Sequence, residues 1–322
     1  MAAGAGPFQM TLSSLIKQTF ENNSWLPFRS IARAVYWRLR TNSRRFYRCF
    51  KPVATTRPLK CNPAAKVELH TLTCHDHVFM YITATKSLLR FVSELAVVVH
   101  DDGSLTPEDV RTIEHHIVGV KVIRRLDADG VVGRRLALCP KTASYRTAVI
   151  NSLELTDHAL LAGRERMIIT NSDTLFLRRP DEVMRWIESD NGEVLCVYEK
   201  QPVQQAEFVA KFRSSFPPHL TLALVCLCRP VLDDASEIEE ILAHVDENDK
   251  PWFIGQNSLP VLIGRKVSAQ RVKFLEQDEY QASGEFSGSP TFRHYWTSIV
   301  NLRSQYCVDA RRVIAELGSD DK

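Results

Sequence analysis

From Val67 onward the chain alternates short apolar runs with stretches whose apolar residues recur every three or four positions, the pattern of strands alternating with helices in one α/β domain. Val67 to Cys74 predicts a first strand. His77 to Phe91 predicts a helix that buries Val78, Phe79, Ile82, Leu88 and Leu89, and Leu95 to His100 a second strand. Thr106-Pro107-Glu108-Asp109 combines a capping hydroxyl, a proline at the first helical position and first-turn acids, so a helix starts there, with Val110, Ile113 and Ile117 on one face.

Val120 to Ile123 predicts a third strand, followed by an irregular stretch and a helix over Thr142 to Leu161. Ile168-Ile169-Thr170-Asn171-Ser172-Asp173-Thr174-Leu175-Phe176 is short and stops before Pro180, which favours a buried strand over a buried helix. Pro180 then opens another helix. Val194 to Tyr198 and Leu220 to Cys228 are further strands, Ser236 to Val245 and Val308 to Leu317 late helices, and Glu276 to Pro290 a loop rich in Gly, Ser and acids.

With 322 residues and 44% apolar content, the chain can bury a large core. A formal charge of +3 does not argue for nucleic acid, but the charge is unevenly spread. No acid occurs between Glu21 and Glu68, where Arg29, Arg33, Arg38, Arg40, Arg44, Arg45, Arg48 and Lys51 interleave with aromatic residues. Phe28, Ile31, Val35 and Leu39 recur at helical spacing. We therefore divide the chain into a basic amphipathic arm, residues 1–65, and an α/β domain, residues 66–322. Such a helix fits an anionic membrane surface, and equally a helix packed on the domain with its arginines in water. Nucleic acid is not an expected partner, because no reading module accompanies the charge.

The eight cysteines are scattered without zinc-ribbon or redox-motif spacing, so reduced thiols in a cytoplasm account for them. Met1 to Gly6 carry no positive charge and lead into no long apolar run, so no signal peptide is expected, and no stretch approaches about 20 apolar residues. The expected location is the cytoplasm, peripheral to a membrane if the arm binds one.

Two strand ends carry candidate chemistry. Asp173 closes an apolar strand at the kind of sheet edge where open α/β folds bind ligands. Asp101-Asp102-Gly103-Ser104 follows Val97-Val98-Val99-His100, placing carboxylates where they can accept hydrogen bonds from a base or ribose, with a glycine permitting close backbone approach. Cys74-His75-Asp76-His77 has the content of a metal site, but adjacent residues on one loop cannot all converge on an ion, and Asp76 suits a helix cap. Arg178 and Arg179 suit either phosphate or water.

The order strand, helix, Asp101-Asp102-Gly103-Ser104, and then Asn171-Ser172-Asp173-Thr174-Leu175-Phe176-Leu177-Arg178-Arg179-Pro180 resembles the GT-A glycosyltransferases, near the glycogenin-like and galactosyltransferase-like members. The resemblance implies a Rossmann-like, mostly parallel sheet flanked by helices. It also implies transfer of a sugar from a nucleoside diphosphate donor, a UDP-sugar being favoured, to a glycan or glycolipid acceptor. Asp101, Asp102 and Gly103 would serve the nucleoside. Asp173, His294 and Asn171 would hold Mn²⁺ or Mg²⁺. Lys141, Arg146, Asn171 and Ser172 would meet the donor, as would Asn151 and Asp157, and Gln256 would stand near the reacting centre of a retaining enzyme with Asp173. Inversion would need a base, for which Asp190, Glu199 and Asp278 are candidates.

This sequence departs from the family at Asn171, where an aspartate is usual. A neutral amide oxygen weakens the attraction for a cation while still offering a ligand. That departure motivates a rival reading, a catalytically degenerate binding or scaffold protein in polysaccharide synthesis. A nucleotidyltransferase would share the sheet, but no Gly-rich triphosphate loop follows the first strand.

Overall fold

The computed structural model describes residues 46–199, 212, 220–245, 251–282, 288–296 and 300–319. Two compact units divide the chain, Met1–Arg48 and Cys49–Lys322. The amphipathic stretch from Phe28 to Leu39 lies outside the described residues. The second unit begins well before residue 66. Phe50 and Val53, on a 3-10 helix over Arg48–Thr55, are fully buried, Cys61 is buried as well, and strand β1 (Leu59–Lys60) pairs with β4 (Ile117–Val118). Apolar anchors at Phe50, Val53 and Cys61 thus commit this segment to the core, where its basic neighbours had suggested an arm.

Among the described residues the main sheet has seven strands: β2 (Val67–Thr73), β3 (Ala96–Asp101), β5 (Lys121–Ile123), β6 (Arg166–Thr170), β8 (Val194–Tyr198), β9 (Leu220–Cys228) and β10 (Val272–Phe274). They lie in the order β10-β8-β9-β6-β2-β3-β5. The pairs β2 with β3, β2 with β6, β3 with β5 and β10 with β8 are parallel, and β9 runs against both β6 and β8. The expected mostly parallel α/β architecture is therefore present.

Both faces of the sheet are covered, as a parallel sheet requires. In β6, Ile168 joins one apolar cluster with Val67, Leu69, Val97 and Val99, while Met167 and Ile169 point to the other with Leu155, Ala159, Val225 and Leu259. On the first face lies α1 (Val78–Leu89), and on the second α5 (Ser152–Leu161). The remaining helices in chain order are α2 (Pro107–His116), α3 (Arg125–Arg135), α4 (Pro140–Ala148), α6 (Asp181–Glu188), α7 (Ala235–Ala243), α8 (Pro251–Lys266) and α9 (Val300–Ser319).

Several local expectations hold. Thr106 and Asp109 form a reciprocal capping box at α2, and α6 starts directly after Pro180. Others are corrected. The helix expected over Thr142 to Leu161 is two, α4 and α5, because the chain leaves helical geometry at Val149. The stretch expected to be irregular contains α3, whose Gly130, Gly133 and dense charges obscure its pattern while Ala128 and Val132 supply its buried face. Asp76 caps no helix; it sits inside a 3-10 turn, His75–His77, and His77 is the N-cap residue of α1.

The apolar run through Asn171-Ser172-Asp173 also divides. After β6 the chain turns at Asn171, whose carbonyl accepts a hydrogen bond from Thr174 Oγ1 at 2.9 Å. It then enters β7 (Thr174–Phe176), which belongs to a small separate sheet with β12 (Phe292–His294) and β11 (Tyr280–Gln281). The antiparallel pairing of β7 with β12 sets Thr174 opposite His294.

Candidate functional site

The parallel strands β2, β3 and β6 end on the same edge of the sheet, with Thr73 in register with Asp101 and His70 with Ile169. The loops that follow them, Cys74 to His77, Asp102 to Ser104 and Asn171 to Asp173, therefore share one rim. Because β12 pairs with β7, a segment remote in sequence reaches that rim as well.

The meeting point is Asp173. Its Oδ1 lies 3.3 Å from His294 Nε2, and its carbonyl accepts the Tyr295 N–H at 3.0 Å. His294 is buried, and its Nδ1 faces the Ala282 carbonyl at 3.2 Å. A carbonyl can only accept, so Nδ1 carries a proton, and Nε2 is the ring nitrogen that faces the carboxylate. A carboxylate oxygen and an imidazole nitrogen at this distance can share a proton or ligate one cation.

Asn171 stands on the same turn. Its Oδ1 is buried with no hydrogen-bond partner, a costly state for an amide oxygen. A hard cation accepts this donor chemistry: a carboxylate, an imidazole nitrogen and an amide oxygen. Among the described residues, no group of three or more His, Cys, Asp or Glu side chains could hold a metal ion by itself.

Residues that sequence reasoning did not place here surround the pair. Ser172 Oγ lies 3.4 Å from His77 Nδ1, so His77 turns into the rim while its neighbour His75 leaves it to bond Asp109 at 2.7 Å. Burial holds His77 below the ordinary imidazole value, against the opposing pull of Asp173, Asp76 and Asp102. Half-buried Glu154, on α5, has its carboxyl pushed up to about 8, first by burial and then by the charge of Asp173. Tyr306 of α9 donates to the Ser172 carbonyl at 3.2 Å and stacks on Tyr295 with ring centres 4.0 Å apart, bracing the turn from behind. His77 was visible in the sequence as the last residue of the Cys74-His75-Asp76-His77 loop. Glu154 and Tyr306 carried no signal beyond their helices.

The other candidates are distributed as follows. Asp101 is buried and fully engaged inward: Oδ1 accepts from the Gly103 and Leu105 N–H groups at 2.7 and 3.1 Å, and Oδ2 from Arg124 Nε at 2.8 Å. It shapes the loop, and Asp102 is the acid at the rim, its Oδ1 accepting from Ser104 N and Oγ at 2.9 and 2.6 Å. Gly103 adopts φ +106°, which suits glycine alone.

Arg146 is held by two acids. It is buried, bonds Asp157 through Nε and Nη2 at 2.7 Å each, and reaches Asp129 at 2.6 Å, so Arg146 and Asp157 hold each other. Lys141 is exposed at the start of α4, where it borders a cavity of about 470 Å³ lined also by Tyr145, Leu242 and Ile254. Asn151 is exposed at the start of α5. Arg178 pairs with Glu279, and Arg179 with Asp181 at 2.9 Å. Asp190 lies beyond α6, exposed and 3.8 Å from Arg166, while Glu199 is buried just after β8 and Asp278 precedes β11. Gln256 belongs to α8, and its side chain lies outside the described residues.

No family model matches the sequence, and no curated protein matches it. Among solved structures, the galactosyltransferase LgtC in complex with donor and acceptor sugar analogs is similar with a TM-score of 0.51 at 9% identity, covering 79% of this chain and 98% of that one. Mouse xyloside xylosyltransferase 1, apo form, gives 0.46 at 13% identity over 71% of this chain and 97% of that one. Core-mannan synthase A from Aspergillus fumigatus, in an Mn/GDP form, gives 0.44 at 13% identity over 69% and 76%. At such identities a likeness speaks to architecture, and the first of the three carries it. With its strand order and its rim of strand-end loops, the chain has the Rossmann-like GT-A fold, similar to that of this galactosyltransferase.

Proposed function

We propose that the protein is a glycosyltransferase that moves a sugar from a nucleoside diphosphate donor, a UDP-sugar being favoured, to a glycan or glycolipid acceptor with the help of a divalent cation. The observation that carries this reading is the Asp173–His294 pair: a carboxylate oxygen and an imidazole nitrogen facing each other at 3.3 Å on the rim where the parallel strands end. Asn171, with its unpartnered Oδ1, stands on the same turn.

Asp173 and His294 would hold Mn²⁺ or Mg²⁺, with Asn171 as a neutral third donor. The bound cation would offset the charge that develops on the departing diphosphate. The protein's own part is to present these donors in a fixed arrangement. The Ala282 carbonyl sets the His294 tautomer, and the Tyr295 N–H and Tyr306 hydroxyl hold the Asp173 and Ser172 carbonyls. Asp102 and Gly103 would receive the nucleoside at the neighbouring strand end. Gln256 remains the candidate near the reacting centre. For the arm, a peripheral position on an anionic cytoplasmic membrane would suit a glycolipid or nascent polysaccharide acceptor.

Calorimetric titration with UDP, GDP and dTDP, each with and without Mn²⁺, on the wild type and Asp173→Ala tests the reading. Metal-dependent binding of one nucleotide that is lost in Asp173→Ala supports it. Absence of binding for all three in either condition removes its foundation.

A further inference from the structure

Helix α9 carries two buried polar side chains on one face, Tyr306 and Asp309. Ala310, Val313 and Leu317 are buried on the same helix and anchor it in the core. Tyr306 reaches the turn from Asn171 to Asp173, donating to the Ser172 carbonyl at 3.2 Å. Asp309 reaches the strand that carries the other half of the rim pair, His294.

Asp309 holds the two residues that flank His294. Its Oδ2 accepts from Arg293 Nη1 at 2.8 Å and from the Tyr295 hydroxyl at 2.7 Å, and its Oδ1 accepts from Gln305 Nε2 at 3.0 Å. Successive side chains of an extended chain point to opposite sides. A hold on Arg293 and Tyr295 from α9 therefore leaves His294 turned the other way, where it meets Asp173. Each flank has a second support. Arg293 also donates through Nε to Gln281 Oε1 at 3.1 Å and through Nη2 to the Gly288 carbonyl at 3.0 Å. Tyr295 stacks on Tyr306 with ring centres 4.0 Å apart and planes 8° from parallel.

Arg293, Tyr295 and Asp309 are all buried, so the charged hydrogen bonds among them are shielded from water. Apolar residues of the same shape often stabilise a core as well as a buried ion pair does. What a fully satisfied polar network supplies in addition is a single geometry.

We propose that Asp309 is a positioning residue, which through Arg293 and Tyr295 fixes His294 where its Nε2 and the Asp173 carboxylate act together. Tyr306 supports the opposing turn, so one helix sets both halves of the pair. The consequence for cation binding rests on the function proposed above; the geometric claim does not.

Two measurements on the full chain test this, with Asp309→Asn and with Tyr295→Phe, a milder variant that removes one hydrogen bond to Asp309 and keeps the ring. The first is the affinity for Mn²⁺ alone, by isothermal titration, counted per folded molecule well below the melting temperature. The expected result is a weakening of about tenfold or more in Asp309→Asn and a smaller one in Tyr295→Phe, as for other groups that orient a metal ligand. Lower stability with unchanged Mn²⁺ affinity is what a merely structural role would give, and it overturns the proposal. The second is the crystal structure of the wild type and of each variant, read at the separation of His294 Nε2 from Asp173 Oδ1. A displacement of more than about 0.5 Å is expected, and an unmoved His294 overturns the proposal. If the wild type binds no Mn²⁺ and His294 still moves in the variants, the cation-assisted reading falls and the positioning role stands. Tyr295→Phe decides both measurements if Asp309→Asn fails to fold.

Discussion

Arg146 and Asp157 face each other across the α4–α5 junction through two hydrogen bonds of 2.7 Å, both side chains buried. The sequence suggested that both would meet a donor; packing gives them to each other. Arg146→Ala leaves Asp157 buried without its partner and should cost about 3–5 kcal/mol of unfolding free energy. The double variant Arg146→Met, Asp157→Leu should recover most of that loss. Urea denaturation of the set reads out both, and nucleotide affinity per folded molecule should be unchanged in the double variant.

A second buried polar group lies under the β2–β3 face. Glu68 Oε2 lies 3.2 Å from His70 Nε2, His70 Nδ1 lies 2.9 Å from His100 Nε2, and the rings of His100 and His158 are 4.5 Å apart. Burial lowers all three histidines below the ordinary 6.5. The folded state therefore keeps them neutral, while the unfolded chain takes up protons as pH falls through about 6.5. Their contribution to stability is full above that pH and declines below it. Equilibrium unfolding compared at pH 7.5 and 5.5 should show a loss of about 1–3 kcal/mol. Since neither His158 nitrogen has a partner, His158→Phe should gain about 1 kcal/mol and flatten the acid limb.

At Asn171 the chain offers an unpartnered amide oxygen two residues from Asp173. Asn171→Asp adds the missing charge and should tighten Mn²⁺ binding roughly tenfold. Isothermal titration with Mn²⁺ alone checks the affinity, and sugar-nucleotide turnover in the same variant separates a working transferase from a degenerate one. Tighter metal with no turnover would favour the binding-protein alternative.

Gly103 holds φ +106°, and a side chain there would stand 3.4 Å from Arg125 Cγ. Gly103→Ala should therefore cost about 1–3 kcal/mol through backbone strain in the loop that Asp101 shapes. If Asp102 and Gly103 receive the nucleoside, UDP affinity should fall with it. A variant that melts earlier yet binds UDP as tightly as the wild type would remove this loop from the site.

Sequence alone determined the alternation of strands and helices, and with it the α/β class, because burial on both faces of a parallel sheet demands continuous apolar runs such as Val97-Val98-Val99 and Met167-Ile168-Ile169. It also located the strand ends that carry Asp102 and Asp173, since turn and capping residues are local signals. Tertiary structure decided which polar groups meet. Whether Arg146 faces a ligand or Asp157, whether Asp101 points outward or into its own loop, and whether His77 reaches Ser172 all depend on how an element is rotated and what packs against it. His294 comes to Asp173 only through the pairing of β12 with β7, a contact between distant segments that local periodicity does not encode.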